Sequence, residues 1–222
     1  MVVTNHSIMH KPILLFCLIL CACLPGVSQN IPQVKIGNQV WMSENLGVVT
    51  FRNGDTIPQA QSSEDWSRAG FDEKPAWCYY IETMNGNDSL VTNHGKLYNS
   101  YAVNDPRGLA PNGWHIPLES EWMLLTDFVI KNKKSVIELF STAGWKNGKK
   151  NNNSYGFQLY PAGWRDVGCG GLGENTGIWA KKISSDEQAP YASFSLFDEQ
   201  EPRFYINTTT WIMGYYVRCI KD

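Results

Sequence analysis

The residues best suited to binding a ligand lie in one glycine-rich stretch, residues 163–177. It offers an aromatic ring, a cation and three oxygen donors: Trp164, Arg165, Asp166, Glu174 and Asn175. Rings and a few convergent polar groups are what ligand sites commonly use. We therefore take this stretch as the candidate surface for a glycan or a protein partner. The alternative for Trp164 is that its ring belongs to the core.

Calcium is the one ion that this stretch is chemically suited to hold. Asp166, Glu174 and Asn175 carry the carboxylate and amide oxygens that Ca²⁺ prefers, and so do Asn85, Asn87 and Asp88. The competing interpretation is that Asn, Asp and Gly simply build turns. The sequence predicts no other cofactor and no other metal.

No familiar catalytic arrangement is apparent in the sequence. Only His94 and His115 follow residue 28, and there is no Gly-x-Ser-x-Gly nucleophile motif. The run at 168–173 lacks the Gly-Lys-Ser/Thr ending of a phosphate loop. These features favour a non-enzymatic binding module. The alternative is an enzyme of unrecognised type, such as a glycoside hydrolase that uses two of the 21 acidic residues.

Composition describes an ordinary folded chain. The protein has 222 residues, 43% hydrophobic and 18% charged, with a net charge of -2. Disorder requires lower hydrophobicity and higher net charge. A nucleic-acid partner would call for a basic excess that this chain lacks, so none is predicted. The length after removal of a leader fits one domain.

The amino-terminal segment predicts export. Lys11 precedes an apolar run at 12–24, and Gly26 and Ser28 are small residues at the -3 and -1 positions of a cleavage site. We therefore expect residues 1–28 to be a signal peptide and residues 29–222 to be a single mature domain. The alternative is a lipoprotein with Cys23 lipidated. The run is shorter than the roughly 20 residues that span a bilayer, so no transmembrane helix is expected in the mature chain. The protein is predicted to be secreted, on the cell surface or associated with the outer membrane.

Most of the secondary-structure elements that the sequence predicts are short strands. Alternating segments at 34–36 and 39–42 around Gly37-Asn38 predict a β-hairpin. A stripe of Leu118, Trp122, Leu125 and Val129 predicts one main helix at about 118–131. Shorter helices are expected near 62–69 and 135–140.

Five blocks, in order along the chain, carry a family resemblance. They begin at Val34, Ala76, Gly95 and Gly113, and the last runs from Gly214 to Asp222 with the sequence GYYVRCIKD. Together they resemble the Fibrobacter succinogenes major paralogous domain, a family of exported bacterial surface domains without an established activity. The resemblance implies a C-type-lectin-like α+β fold, with small antiparallel sheets, one main helix and long irregular loops. It also leads us to expect the terminal blocks, at 34–42 and 215–220, in one small sheet. One departure is Leu118, where the family has a helix-capping Thr or Ser.

Three cysteines remain after the leader: Cys78, Cys169 and Cys219. Cys78 and Cys219 lie in blocks of the resemblance and Cys169 lies outside them. We therefore expect a Cys78–Cys219 disulfide, which an exported domain can retain. The alternative is that both are free, buried thiols. The formylglycine-generating enzymes, which the family resembles, use a Cys pair near the carboxyl terminus. Cys219 has no such partner, which argues against that activity.

Overall fold

The computed structural model describes residues 30–84, 87–132, 135–146, 151–183, 188–197 and 201–222. The predicted signal peptide, its cleavage site and the Cys23 alternative lie outside these residues, as does Asn85. The described part of the chain is mixed α/β, mostly strands with few helices. The α+β class is therefore correct. Residues 31–222 form one compact unit.

The helices and strands alternate irregularly along the described residues. The helices are α1 (Ser63–Phe71), α2 (Ser100–Asn104) and α3 (Glu119–Lys131), with a short 3-10 helix at Val136–Leu139. The strands are β1 (Gln33–Ile36), β2 (Gln39–Met42), β3 (Trp77–Cys78), β4 (Tyr80–Met84), β5 (Asn87–Val91), β6 (Leu97–Asn99), β7 (Trp114–His115), β8 (Ala162–Arg165), β9 (Cys169–Leu172), β10 (Asn175–Trp179), β11 (Ala189–Ser195), β12 (Arg203–Thr209), β13 (Gly214–Tyr215) and β14 (Ile220–Lys221).

The strands form one small sheet, one large sheet and a separate hairpin. The small sheet has the order β1-β2-β14-β7 and is antiparallel throughout. The large sheet has the order β12-β11-β10-β8-β13-β6-β3, with β9 paired to β8, and its β10–β8 pair is parallel. Strands β4 and β5 form the hairpin. The expected antiparallel pairing therefore holds for the named strands except at the β10–β8 pair.

The first hairpin is confirmed where the sequence predicted it. Ile36 pairs with Gln39, and Gly37 adopts a φ of 61°, the left-handed conformation that glycine accommodates without strain. The resemblance suggested that the carboxyl-terminal block lies in one sheet, but the structure divides it between two. β13 belongs to the large sheet, whereas Ile220 in β14 pairs with Trp41 in the small one. The last nine residues therefore join the two sheets.

Helix α3 matches its predicted position and its predicted buried face. Trp122, Leu125 and Val129 are fully buried, and the Trp122 ring packs 4.6 Å from that of Trp41. Leu118 provides no acceptor, but the Glu121 carboxylate accepts the Leu118 N–H at 2.8 Å. The start of the helix is therefore capped by the Glu121 carboxylate alone, which makes one of the two hydrogen bonds of a capping box.

The predicted Cys78–Cys219 disulfide is not formed. All three described cysteines are free thiols. Cys78 packs with Leu97 and Tyr216, whereas Cys219 lies in a different core cluster with Met42. Because the terminal segment crosses from the large sheet to the small one, it carries Cys219 away from Cys78. Burial raises the pKa of the Cys78 thiol to about 12, and it raises that of Cys219 further still. Both therefore behave as small buried hydrophobes.

Among the described residues, no helix combines the length and apolar character that crossing a membrane requires.

Candidate functional site

The predicted ligand-binding stretch folds into β8, β9 and the start of β10. A tight turn joins β8 to β9: Asp166 N–H donates to the Gly168 carbonyl at 2.9 Å, and Gly168 N–H donates to Asp166 Oδ1 at 2.8 Å. The Asp166 carboxylate therefore closes a turn, as Asp commonly does.

Strand alternation separates two of the candidate residues. Trp164 is half-buried and packs against the main core cluster. A Cβ at Gly170 would lie 2.8 Å from the Trp164 ring, so this glycine leaves the space that the ring occupies. The core interpretation of Trp164 is thus supported. Arg165 follows it on β8 and projects to the other face, because successive strand residues point in opposite directions.

Glu174 and Asn175 also separate. Glu174 lies at the edge of a cleft, with its carboxylate 3.9 Å from Lys146 Nζ. Asn175 packs against Gly171, where an added Cβ would lie 2.2 Å from Asn175 Oδ1. That oxygen has no hydrogen-bond partner in the described residues. Of the five candidates, Arg165 and Glu174 line a common cleft, whereas Trp164, Asp166 and Asn175 do not.

The calcium candidates do not form a recognisable cluster. The described ranges contain no group of three or more His, Cys, Asp or Glu side chains that could hold a metal ion. Asp88 of the second candidate set accepts a hydrogen bond from Thr83 Oγ1 at 2.6 Å across the β4–β5 hairpin. Calcium binding stays a prediction.

The cleft itself has a volume of about 360 Å³. It lies between the first turn of α1, strand β4 and the β8–β9 hairpin. Its walls are mostly polar: beside Arg165 and Glu174 they include Ser63, Tyr80, Glu82 and Lys146. This volume is at the small end of the range for ligand sites in proteins.

Arg165 is the most unusual group in this cleft. Its side chain is buried, with 1% of the residue exposed. Nη2 donates to the Ser62 carbonyl at 3.3 Å and to Ser63 Oγ at 3.4 Å, and Nη1 lies 3.9 Å from Cys169 Sγ. These contacts are long, Nε has no partner, and no carboxylate in the described ranges forms an ion pair with the guanidinium. Arg165 therefore retains unused donor capacity.

Tyr80 and Cys169 line the cleft beside Arg165. Burial raises the pKa of Tyr80 to about 12, so its hydroxyl is protonated at neutral pH. Ile81 N–H donates to Cys169 Sγ at 3.4 Å, which fixes the thiol against β4. These donors are suited to a charged acceptor placed directly beside the guanidinium, while Glu82, Asp88 and Glu174 line other parts of the cleft.

The sequence indicated Arg165 and Glu174 but missed the rest of the cleft. Tyr80, Ser63 and Lys146 carried no signal of a functional role in the sequence. Ser63 and Arg165 are about a hundred residues apart in the chain, so only the folded structure brings them together.

Comparison with known proteins gives one result. A search of curated proteins and a search of solved structures found no match. The model of the Fibrobacter succinogenes major domain matches residues 34–221, most of the chain and all five blocks that carried the resemblance. The chain therefore belongs to the Fibrobacter succinogenes major domain family, a family of bacterial protein domains.

Proposed function

We propose that this protein is an exported, non-enzymatic binding module whose Arg165 cleft holds the carboxylate of an acidic glycan. The export follows from the leader sequence at 1–28. A C-type-lectin-like fold, with its ligand held by loops between strands, is part of the same proposal. The observation that carries it is the buried Arg165 guanidinium, which has an unpartnered Nε and no carboxylate partner in the described residues.

The physical argument concerns the cost of a buried charge. An ion removed from water without a counter-charge loses several kcal/mol of solvation free energy. A ligand carboxylate would supply both the counter-charge and two acceptor oxygens, which match the planar fork of a guanidinium. Ligand binding would thus supply the acceptors that Arg165 lacks in the free protein.

The remaining walls favour a sugar over a peptide. Ser63, Tyr80 and Thr83 offer hydroxyl groups, and Glu82 and Glu174 offer acceptors. A uronic acid has one carboxylate and several hydroxyls, so it can use both sets. A peptide side chain would need apolar walls, and Ile81 and Leu172 are the aliphatic side chains that line this cleft.

The alternative function is carboxylate-based glycoside hydrolysis in the same cleft. It is favoured by one observation, that Glu82, Asp88 and Glu174 all line it. Two of the three are already engaged, Asp88 by Thr83 and Glu174 by Lys146. A hydrolase also needs one carboxyl that acts as an acid, and none of the three is fully buried.

The test is calorimetric titration with acidic oligosaccharides, namely oligomers of galacturonate, glucuronate and mannuronate, each beside its carboxyl-reduced form. We expect at least one acidic form to bind and its reduced form not to bind. Arg165→Met should weaken binding by about 30-fold or more, the effect of truncating one partner of a buried charge pair. Arg203→Met, which changes an exposed arginine on β12, is the matched control and should bind normally.

Three results would overturn the proposal. The first is that none of the acidic oligomers binds, the second is that the reduced forms bind equally well, and the third is that peptides with a free carboxylate bind in their place. Release of new reducing ends during the titration would establish hydrolysis instead. Repeating the titration with a chelator tests the calcium prediction, since only a calcium-dependent site would lose binding.

A further inference from the structure

A second cleft lies at the other end of α1. It has a volume of about 640 Å³ and lies between the residues that follow α1, helix α2 and the loop at Trp211. Two aromatic side chains, Tyr101 and Trp211, line it together with Glu73, Asn104 and Lys182. No residue of this cleft was singled out by the sequence, and none lines the Arg165 cleft.

Trp211 is held in this cleft by a glycine in α1. A Cβ at Gly70 would lie 2.2 Å from Trp211 Cζ3, so any larger residue there would displace the ring. Glycine within a helix costs about 1 kcal/mol relative to alanine. The neighbouring Phe71 ring packs 5.1 Å from that of Trp211 but does not line the cleft. Gly70 therefore leaves the space that the half-exposed Trp211 ring occupies, at the cost of a less stable helix.

The polar groups around the two rings leave hydrogen-bonding capacity free. Asn104 Nδ2 donates to the Ser100 carbonyl at 2.9 Å, while Oδ1 accepts no hydrogen bond from the described residues. Burial and the nearby Glu73 raise the pKa of Tyr101, so its hydroxyl is a donor at neutral pH. Asp105 is engaged by Arg107 at 2.8 Å, which leaves Glu73 and Lys182 as charges of opposite sign.

We propose that this second cleft binds a neutral oligosaccharide, with sugar rings packed on Trp211 and Tyr101 and sugar hydroxyls bonded to Glu73, Asn104 and Lys182. A pyranose has C–H faces that pack on an aromatic ring and a rim of hydroxyls that both donate and accept. The cleft has two aromatic rings that can pack on the C–H faces and polar side chains that can bond the hydroxyls. The balanced charges of Glu73 and Lys182 give an ionic ligand no advantage. The proposal is independent of the Arg165 cleft.

The test uses neutral hexasaccharides, namely those of glucose, xylose, mannose and N-acetylglucosamine, titrated into the full protein. Binding is followed by calorimetry and by the indole N–H signal of Trp211 in nitrogen–proton correlation spectra, assigned with Trp211→Phe. We expect at least one hexasaccharide to shift that signal. Trp211→Ala should weaken its binding by about 30-fold or more and Tyr101→Ala by about tenfold, as expected for aromatic residues central to a site.

The control variants separate this cleft from the rest of the surface. Tyr205→Ala, which removes an exposed ring on β12, and Arg165→Met should both leave the affinity unchanged. If Trp211→Ala fails to fold by circular dichroism, Tyr101→Ala and Glu73→Gln decide the outcome. The proposal is overturned if no hexasaccharide shifts the Trp211 signal, if the variants of the cleft bind as the unaltered protein does, or if binding depends on Arg165.

Discussion

Two buried arginines, Arg218 and Arg165, are in opposite states of hydrogen bonding. Arg218 is fully buried, and its three nitrogens all donate. Nε and Nη2 bond Asn45 Oδ1 at 3.1 and 2.8 Å, Nη2 also reaches the Gln158 carbonyl at 3.2 Å, and Nη1 donates to the Phe157 carbonyl. The guanidinium also packs 4.6 Å from the Phe157 ring centroid. Arg165 is nearly as buried and also packs over a ring, 5.4 Å from the Trp66 centroid, but its hydrogen bonds are long and its Nε is unpaired.

Arg218 and Arg165 show how a structural arginine can be distinguished from one that binds a ligand. Neither residue has a carboxylate partner in the described ranges, so charge pairing does not distinguish them. Arg218 is instead held by neutral carbonyl and amide oxygens that occupy all of its nitrogens, and it lines neither of the two clefts described above. Arg165 faces a cleft and keeps donors free. For these two arginines, unpaired donors together with a position on a cleft, rather than burial alone, favour a ligand-binding role for Arg165.

The largest expected effect is on the Arg218 side of the comparison. Arg218→Met should lower the free energy of unfolding by about 3–5 kcal/mol, because it leaves the Asn45, Phe157 and Gln158 oxygens without donors. Urea denaturation measures it. A loss below about 1 kcal/mol would show that these contacts are replaceable and that the two arginines do not differ in kind.

Ligand binding should produce the next largest effect. At a hundred times its Kd, an acidic oligosaccharide that binds at Arg165 should raise the free energy of unfolding by about 2.7 kcal/mol. The same concentration should stabilise the Arg165→Met variant by no more than about 0.9 kcal/mol, because a site weakened about 30-fold is then only about three times above its own Kd. Thermal unfolding with and without the saccharide measures both. Equal stabilisation of the two proteins would place the ligand elsewhere.

Without ligand, Arg165→Met should leave the free energy of unfolding unchanged or raise it by up to about 2 kcal/mol. The long contacts of Arg165 contribute little, and replacing a poorly paired buried charge by an apolar side chain is often neutral or stabilising. The measurement is urea denaturation beside Arg218→Met. A loss similar to that of Arg218→Met would mean that Arg165 is structural too.

The smallest expected effect on the free energy of unfolding comes from His115, a cation that has carboxylate partners. Burial alone would lower the pKa of His115, but hydrogen bonds to Asp222 at 2.7 Å and Glu121 at 3.0 Å outweigh it, so the pKa is raised above 6.5. The stabilisation should therefore be complete below pH 6.5 and lost as the pH rises through the raised value. Its size should be at most about 1 kcal/mol, as for other exposed pairs.

The readout for His115 is thermal unfolding across this pH range, with His115→Gln as the matched variant. The loss of stability above pH 6.5 should be smaller in the variant than in the unaltered protein. His94 provides an internal contrast, because burial lowers its pKa and its stabilisation should be lost as the pH falls. An unchanged pH profile in His115→Gln would mean that its carboxylate partners contribute nothing to folding.

The sequence predicted those parts of the fold that depend on local patterns. The Gly37-Asn38 turn and the Trp122 stripe of α3 are set by residues near one another in the chain, so both were located correctly. The path of residues 214–222 between two sheets depends on partners from distant segments. For that reason the predicted single sheet for the terminal blocks and the Cys78–Cys219 bridge were wrong.

Part of the candidate site was predictable in the same sense. Arg165 and Glu174 lie on the cleft, and one further inference was available from the sequence. Had residues 162–165 been recognised as a strand, alternation would have placed Trp164 and Arg165 on opposite faces. Tyr80 and Ser63 reach the cleft from β4 and α1 through pairings far apart in the chain. No local pattern reports such pairings.

Helix α1 sets the spacing of the two clefts. Ser63, in its first turn, lines the Arg165 cleft, and Gly70, in its last, seats Trp211 in the second. The seven residue steps from Ser63 to Gly70, at about 1.5 Å each, separate these two positions by about 10 Å along the helix axis. Taken together, the two proposals predict that an oligosaccharide with an acidic unit a few sugars from a neutral one binds more tightly than either part alone. Its second contact would form at a high effective concentration, so two weak sites would act together with the avidity of one strong site.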